Sequence, residues 1–129
     1  PAIWLLPTDQ DKTLPEIDIF EVIGSDPATV YMVNHFSTTK KTQSNSKTYY
    51  LPAYSTFHTY VVEWDENEIR WYVDDELIFT STNGMPDEPM YLLINFAIGG
   101  NWPGSPNSLT PFPLSFDIDY VKVYAKKGG

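Results

Sequence analysis

The residues best suited to chemistry are three acids in one short, strand-like segment. Glu16, Asp18 and Glu21 are separated there by apolar residues. In a regular strand Glu16 and Asp18 would share a face, while Glu21 would point to the opposite face among apolar neighbours. A carboxylate in an apolar layer is costly unless it is paired. One bulge at Ile19 and Phe20 would remove the conflict, because it would turn Glu21 onto the face of Glu16.

Three acids on one strand face could cleave a glycosidic bond. With the bulge, the outer Cα atoms would lie about 13 Å apart. Long glutamate side chains leaning over Asp18 could then bring their carboxyls to roughly 5 Å, the separation that retaining glycosidases use. Repulsion should separate the three pKa values and keep at least one acid protonated, as this reaction requires. The alternative interpretation is a solvated acidic strand face.

The elements that must position these acids are predicted to be short β-strands. Apolar or alternating runs separated by turn residues dominate, no stretch keeps a 3.6-residue apolar period, and eleven prolines are scattered along the chain. We therefore predict an all-β fold of antiparallel strands, a β-sandwich or jelly roll. The predicted strands are residues 2–6, 16–23, 29–36, 56–64, 68–73, 76–81, 90–97 and 116–124.

Turns and loops are predicted between these strands. Asp74 and Asp75 form a plausible two-residue hairpin turn. Residues 40–47 are polar with three lysines and indicate an exposed loop, and residues 99–113 hold three Gly and four Pro in a long irregular loop. Long loops inside compact domains are usually functional or mobile. Residues 1–129 are predicted to form one portion of a single domain, and the last five of them, 125–129, are predicted to be a tail or linker.

Composition limits the classes of partner. The 129 residues suffice for one domain, and a net charge of −9 disfavours nucleic-acid and membrane partners. The absence of cysteine excludes disulfides and a thiol nucleophile. Aromatic residues make up 16% of the chain, which suits stacking on sugar rings but also suits β-sheets in general.

Taken together, these segments resemble glycoside hydrolase family sixteen, the group of laminarinases, lichenases, agarases and carrageenases. The resemblance covers nearly the whole chain and implies a concanavalin-like jelly roll. The motifs that carry it are Pro-Ala-Ile-Trp-Leu-Leu at 1–6, the acidic segment 16–21, Phe-His-Thr-Tyr at 57–60, Ile-Arg-Trp-Tyr-Val-Asp at 69–74, Gly-Gly-Asn-Trp-Pro-Gly at 99–104 and Asp-Tyr-Val-Lys-Val-Tyr at 119–124.

The resemblance implies an endo-acting, retaining hydrolase of β-1,3-glucan or mixed β-1,3-1,4-glucan. Matched position by position, Glu16 corresponds to the nucleophile, Glu21 to the acid/base and Asp18 to the acid that assists Glu16. A transglycosylase would use the same residues. A non-catalytic, lectin-like sugar-binding module is the other alternative, although such a module has no need of two glutamates flanking an aspartate.

The resemblance also implies a set of substrate-binding residues. His35 matches a histidine near the acid/base and shares a strand face with Tyr31, although an exposed strand-end histidine is the alternative. Trp4 and Trp102 match aromatics that could stack on sugar rings, and burial in the core is the alternative for Trp4. Asn95 could bind a sugar hydroxyl. Two further tryptophans, Trp64 and Trp71, are assigned to the core.

No cofactor is expected for catalysis, but a structural calcium ion is implied. Asp119 matches an aspartate that helps to hold calcium in the family, and hard oxygen ligands suit that ion. The family's catalytic domain is roughly twice as long, so the fold is expected to be incomplete in this chain. A complementary N-terminal segment or a second copy of the chain is the expected partner, and a secreted, extracellular location is implied.

Overall fold

The computed structural model describes residues 1–39 and 41–126, and its secondary structure is entirely β. A sheet of five strands has the order β4-β3-β2-β1-β8, and a sheet of three strands has the order β5-β6-β7, with every pairing antiparallel. The all-β prediction is confirmed. The strands are β1 (Ala2–Pro7), β2 (Glu16–Ile23), β3 (Asp26–Ser37), β4 (Thr42–Tyr50), β5 (Tyr60–Trp64), β6 (Ile69–Val73), β7 (Glu76–Ser81) and β8 (Met90–Asn95).

The core lies between the two sheets. Strand β3 alternates strictly, with Val30, Met32 and every second residue buried, because successive side chains of a strand point to opposite faces. Ile69 and Trp71 of the small sheet pack into the same cluster and are fully buried. Fully burying one such side chain stabilises a fold by roughly 1.5–3 kcal/mol. One face of the large sheet packs on this core. The opposite face, called the outward face below, points away from the small sheet.

Two predicted elements are wrong, for different reasons. Residues 40–47 were expected to form a loop, but most of them lie in the edge strand β4, which pairs with β3 along nine residues. Backbone hydrogen bonds hold such a strand, and lysines are common on strand edges. Residues 116–124 were expected to form a strand but are irregular and mostly exposed, because no described segment supplies a hydrogen-bonding neighbour.

Some of the smaller predictions are confirmed and others are wrong. The hairpin turn at Asp74 and Asp75 is confirmed, since both have positive φ, 49° and 67°, as a type I′ turn requires. Trp71 is in the core as predicted, but Trp64 at the end of edge strand β5 is 39% exposed. The predicted strand 56–64 begins only at Tyr60. Lys40 and residues 127–129 lie outside the described residues, so the tail stays a prediction.

The part of the chain that the structure describes contains no helical segment that could span a lipid bilayer.

Candidate active site

A bulge in β2 sets the geometry of the acidic segment. Asp18 pairs with Val33 of β3 and Glu21 pairs with Tyr31, so three steps along β2 oppose two steps along β3. The extra residue falls at Ile19 and Phe20, and the pairing of β2 with β1 shifts at the same place. The predicted bulge is confirmed.

The bulge changes which side chains enter the core. Ile17 and Phe20 are buried there, whereas Ile19 is only partly buried. Residues directly opposite in an antiparallel pair point to the same face. Glu16, Asp18 and Glu21 lie opposite His35, Val33 and Tyr31 of β3. These three β3 residues are two positions apart, so their side chains share one face of the sheet. All three acids therefore project from the outward face of the large sheet.

All five strands of the large sheet contribute to this outward face. The β1 residue opposite Asp18 is Trp4, and Trp4 in turn lies opposite Leu93 of β8. On the far side, the face continues to the exposed hydroxyl side chains of β4. Sequence reasoning missed these hydroxyl residues because the segment was taken for a loop, although their spacing of two was the available signal. They are Ser44, Ser46 and Thr48, which oppose His35, Val33 and Tyr31.

Asp18 is the most perturbed of the three acids. Its side chain is almost buried, and burial raises its pKa to about 8, with further contributions from the charges of Glu16 and Glu21 and a hydrogen bond with Glu16. The raised pKa of Asp18 supports the prediction that at least one of the three acids stays protonated.

Glu21 also holds its proton more tightly than an ordinary glutamate. Burial raises its pKa, and the charge of Glu16 raises it further, while the imidazole of His35 acts in the opposite direction. A carboxyl whose pKa is raised towards neutrality is suited to donate a proton in general acid catalysis. The site thus combines a middle acid and an outer acid that both hold their protons more tightly than ordinary carboxyl groups.

His35 lies in the cleft beside the three acids, close enough to Glu21 for its charge to lower the pKa of that carboxyl group. Its Nε2 is 3.3 Å from Oδ2 of Asp18 and 3.9 Å from Oε1 of Glu16. It therefore contacts the Glu16 end of the row rather than Glu21. Because β3 runs antiparallel to β2, the strand residue nearest Glu21 is Tyr31 instead.

Three aromatic rings and one amide flank the acids. Trp102 is 51% exposed and meets the ring of Tyr31 edge-on, with the ring centroids 4.8 Å apart. On the other side, Nε1 of Trp4 donates a hydrogen bond of 2.8 Å to Oδ1 of Asn95. The structure thus places the predicted catalytic acids beside the predicted substrate-binding residues. Exposed aromatic rings beside carboxyls are the pattern expected of a sugar-binding cleft.

Asp119 was expected to help to hold a calcium ion. It is exposed in the irregular segment after β8 and joins no cluster of three acidic or histidine side chains in the part of the chain that the structure describes. The described residues therefore do not assemble a calcium site around it from acidic side chains. A metal-type cluster does exist elsewhere, where atoms of Glu16, Asp18 and His35 lie within 4.8 Å of one another.

The burial of Asp18 leads to a prediction about stability. In the folded protein Asp18 keeps its proton up to a pH of about 8, whereas the ordinary aspartate value is 3.8. Between these values the folded state binds more protons than the unfolded state, so the free energy of unfolding should fall as pH rises. Urea unfolding at pH 5 and pH 8 should show the loss, and Asp18→Asn should reduce it.

The exposed Asp26 offers a matched control. Asp26→Asn removes the same charge from the neighbouring strand, and it should leave the difference between pH 5 and pH 8 as large as in the unmodified protein. An Asp18→Asn variant with an undiminished pH difference would show that Asp18 is not the group responsible.

Comparison with known proteins places this geometry among characterised relatives. The model of the family described as Glycosyl hydrolases family 16 matches residues 1–122. The chain is 35% identical to the glucan endo-1,3-β-glucosidase A1 of Niallia circulans, over 98% of this chain and 22% of that protein. It is 39% identical to the endo-1,3-1,4-β-glycanase ExsH of Rhizobium meliloti, over 97% of this chain and 27% of that protein.

Structural comparison agrees. The laminarinase catalytic domain of Thermotoga maritima superposes with a TM-score of 0.72 at 35% identity, covering 87% of this chain and 52% of that domain. The chain therefore spans about a quarter of the curated relatives and about half of the solved catalytic domain.

Proposed function

The chain belongs to glycosyl hydrolase family 16, and from that premise we propose that it carries the catalytic acids of an endo-acting β-glucan hydrolase. The observation that carries the proposal is the bulge at Ile19 and Phe20, which sets Glu16, Asp18 and Glu21 on one open face. A regular strand would have sent Glu21 into the core, where it could reach no substrate.

The proposed reaction is a double displacement. The Glu16 carboxylate attacks the anomeric carbon while the Glu21 carboxyl gives its proton to the glycosidic oxygen, so the C–O bond breaks and the leaving sugar departs as an alcohol. A covalent ester between the sugar and Glu16 results. Glu21 then takes a proton from water, whose oxygen attacks the same carbon and restores the Glu16 carboxylate. Two inversions give retained configuration.

The electrostatics of the site support a change of role for Glu21 during this cycle. The charge of Glu16 is one of the causes that raise the pKa of Glu21. When Glu16 is esterified that charge disappears, so the pKa of Glu21 falls and the group becomes a base. Asp18 keeps its proton on the Glu16 side, and we propose that its hydrogen bond orients the nucleophile.

The substrate is proposed to be a neutral glucan with β-1,3 or mixed β-1,3-1,4 linkages. The activities in the names of the two curated relatives support these linkages. The net charge of −9 disfavours sulfated polymers, which it would repel. The rings of Trp4 and Trp102 and the hydroxyls of β4 offer stacking and hydrogen bonds along a chain of sugars.

The two alternatives differ in how the acids are used. A lectin-like module would gain nothing from Asp18, whose burial between two glutamates opposes folding above its ordinary pKa. A transglycosylase would use the same first step and differ in the second, where a sugar hydroxyl rather than water attacks the ester on Glu16. Analysis of products separates these, since a transglycosylase makes longer chains and a binding module makes no product.

Two further expectations remain proposals. We propose a secreted protein, since its polymeric substrate lies outside cells.

We also propose that a complementary segment or a second copy of the chain covers the apolar side chains exposed after β8. A chain that is monomeric and stable alone would contradict this. The exposed side chains are Leu109, Phe112, Leu114, Tyr120, Val123 and Tyr124.

The test of the proposed function is release of reducing ends from laminarin, lichenan and agarose. We expect release from laminarin or lichenan in excess of that from agarose, with oligosaccharide products of several lengths because cleavage is internal. A parallel assay with a calcium chelator tests a structural calcium at Asp119, for which lower thermal stability without calcium is expected. Failure to cleave both glucans would refute the function.

A further inference from the structure

The Glu16 end of the acidic row has the geometry of a metal site. The Nε2 atom of His35 lies 3.3 Å from a carboxylate oxygen of Asp18 and 3.9 Å from one of Glu16, and the three ligand atoms are all within 4.8 Å of one another. Ligands bound at about 2.1 Å to one tetrahedral ion are about 3.4 Å from each other. Small side-chain movements would therefore suffice to bind an ion.

The other histidine of the chain is already engaged. Nδ1 of His58 is 2.6 Å from Oδ2 of Asp74, and its Nε2 is 2.9 Å from the carbonyl oxygen of Ala53. A carbonyl only accepts, so Nε2 carries a proton there. The sequence contains two histidines, and His35 is thus the one whose imidazole can serve as a ligand without breaking such bonds.

We propose that Glu16, Asp18 and His35 bind one divalent transition metal ion, such as Zn²⁺ or Cu²⁺, and that the bound ion switches the catalytic centre off. One imidazole nitrogen with two carboxylate oxygens suits zinc and copper, whereas calcium and magnesium prefer oxygen ligands alone. Binding displaces the proton that Asp18 holds at neutral pH, because a carboxyl group binds a metal ion in its deprotonated form. The side chains of His35 and Glu16 are 36% and 25% exposed, so water can complete the coordination sphere.

The strands hold the three ligands in place before any ion arrives. Glu16 and His35 are direct partners across β2 and β3, and Asp18 lies on the next pair along the same face. The indole Nε1 of Trp71 donates a buried hydrogen bond of 2.9 Å to the carbonyl oxygen of Asp18. Because the backbone is fixed by sheet and core, little ordering is needed on binding.

The ion and the substrate exclude each other in this arrangement. A metal ion bound to the Glu16 carboxylate occupies the electron pair that would attack the anomeric carbon. It also sits on the open face of the sheet, where the sugar must lie. Glu21 does not belong to the cluster, so the site uses the nucleophile without using the acid/base.

Isothermal titration with Zn²⁺ and electron paramagnetic resonance with Cu²⁺ test the binding, on the protein and on two variants. We expect one ion per chain, with hyperfine structure from a single imidazole nitrogen. His35→Gln should weaken binding by about 100-fold. Asp26→Asn is the matched control, because it removes a negative charge from an exposed position of β3 outside the cluster, and it should keep the affinity within about threefold. Equal affinity in His35→Gln, or no binding, would overturn the site.

The inhibition is read separately, on hydrolysis of laminarin. Zn²⁺ is expected to raise KM with kcat unchanged, and EDTA should reverse the effect. This part rests on the proposed function, while the titration does not. Loss of binding refutes the metal site whatever the activity, and binding without inhibition refutes the switch alone.

Discussion

Glu16→Gln is expected to lower the turnover of laminarin or lichenan by about four orders of magnitude or more, the scale seen when a covalent nucleophile is removed. The amide has nearly the shape of the carboxylate but cannot attack the anomeric carbon. The loss should fall on kcat, because substrate stacking on Trp4 and Trp102 does not involve this group. Steady-state kinetics on both glucans measure it.

The folded state of this variant should be intact, which separates chemistry from damage. Asp18 and Glu16 share a hydrogen bond, and the amide oxygen of glutamine can still accept one from the protonated Asp18. We expect thermal stability at neutral pH to be unchanged. Glu76→Gln, at an exposed position on the small sheet, is the matched control and should keep full turnover. Turnover within tenfold of the unmodified protein would end the assignment of Glu16.

The fold could be predicted where side chains alone decide the structure. Strands β2 and β7 begin and end where the alternation of apolar residues placed them. The bulge was predictable for the same reason, because an unbroken β2 would have buried Glu21 in the apolar layer. The cost of an unpaired carboxylate was enough to locate the irregularity at Ile19 and Phe20.

The predictions failed where main-chain hydrogen bonding, rather than side-chain type, determines whether a segment forms a strand. Strand β4 is polar on both faces, and its pairing with β3 depends on main-chain hydrogen bonds that leave no trace in side-chain type. Its hydroxyl row was missed in consequence. Residues 116–124 show the opposite case, since their apolar alternation predicts a strand but a strand also requires a neighbour. Phe116 nonetheless packs on Phe20 of β2, with the rings stacked and their centroids 5.7 Å apart.

The electrostatics of the site were predictable only in outline. Three acids on one face must repel, and the sequence indicated that one would stay protonated. Which acid does so depends on burial, and Asp18 is the one that lies between Val33 and Trp4 on the neighbouring strands. The position of His35 likewise depends on register. A pairing shifted by two residues would have placed it beside a different acid.

Glu21→Ala is expected to lower the hydrolysis of polysaccharide by about 10²- to 10⁴-fold, the usual contribution of general acid catalysis. With a dinitrophenyl β-glucan oligosaccharide as substrate, the rate of the first step should fall less, because dinitrophenolate departs without needing a proton. The glycosyl ester on Glu16 should then accumulate, since no base activates water. A burst of dinitrophenol followed by a slow steady state would report this.

Azide distinguishes the acid/base from the nucleophile through the configuration of the product. In Glu21→Ala, azide can enter the space left by the side chain, attack the ester and restore turnover by at least about tenfold, giving a glycosyl azide of β configuration after two inversions. In Glu16→Ala the same anion would attack the substrate directly and give the α azide after one inversion. Nuclear magnetic resonance of the isolated azides reads the difference. An α azide from Glu21→Ala, or no rescue in either variant, would mean that the two glutamates flanking Asp18 do not have the roles assigned to them.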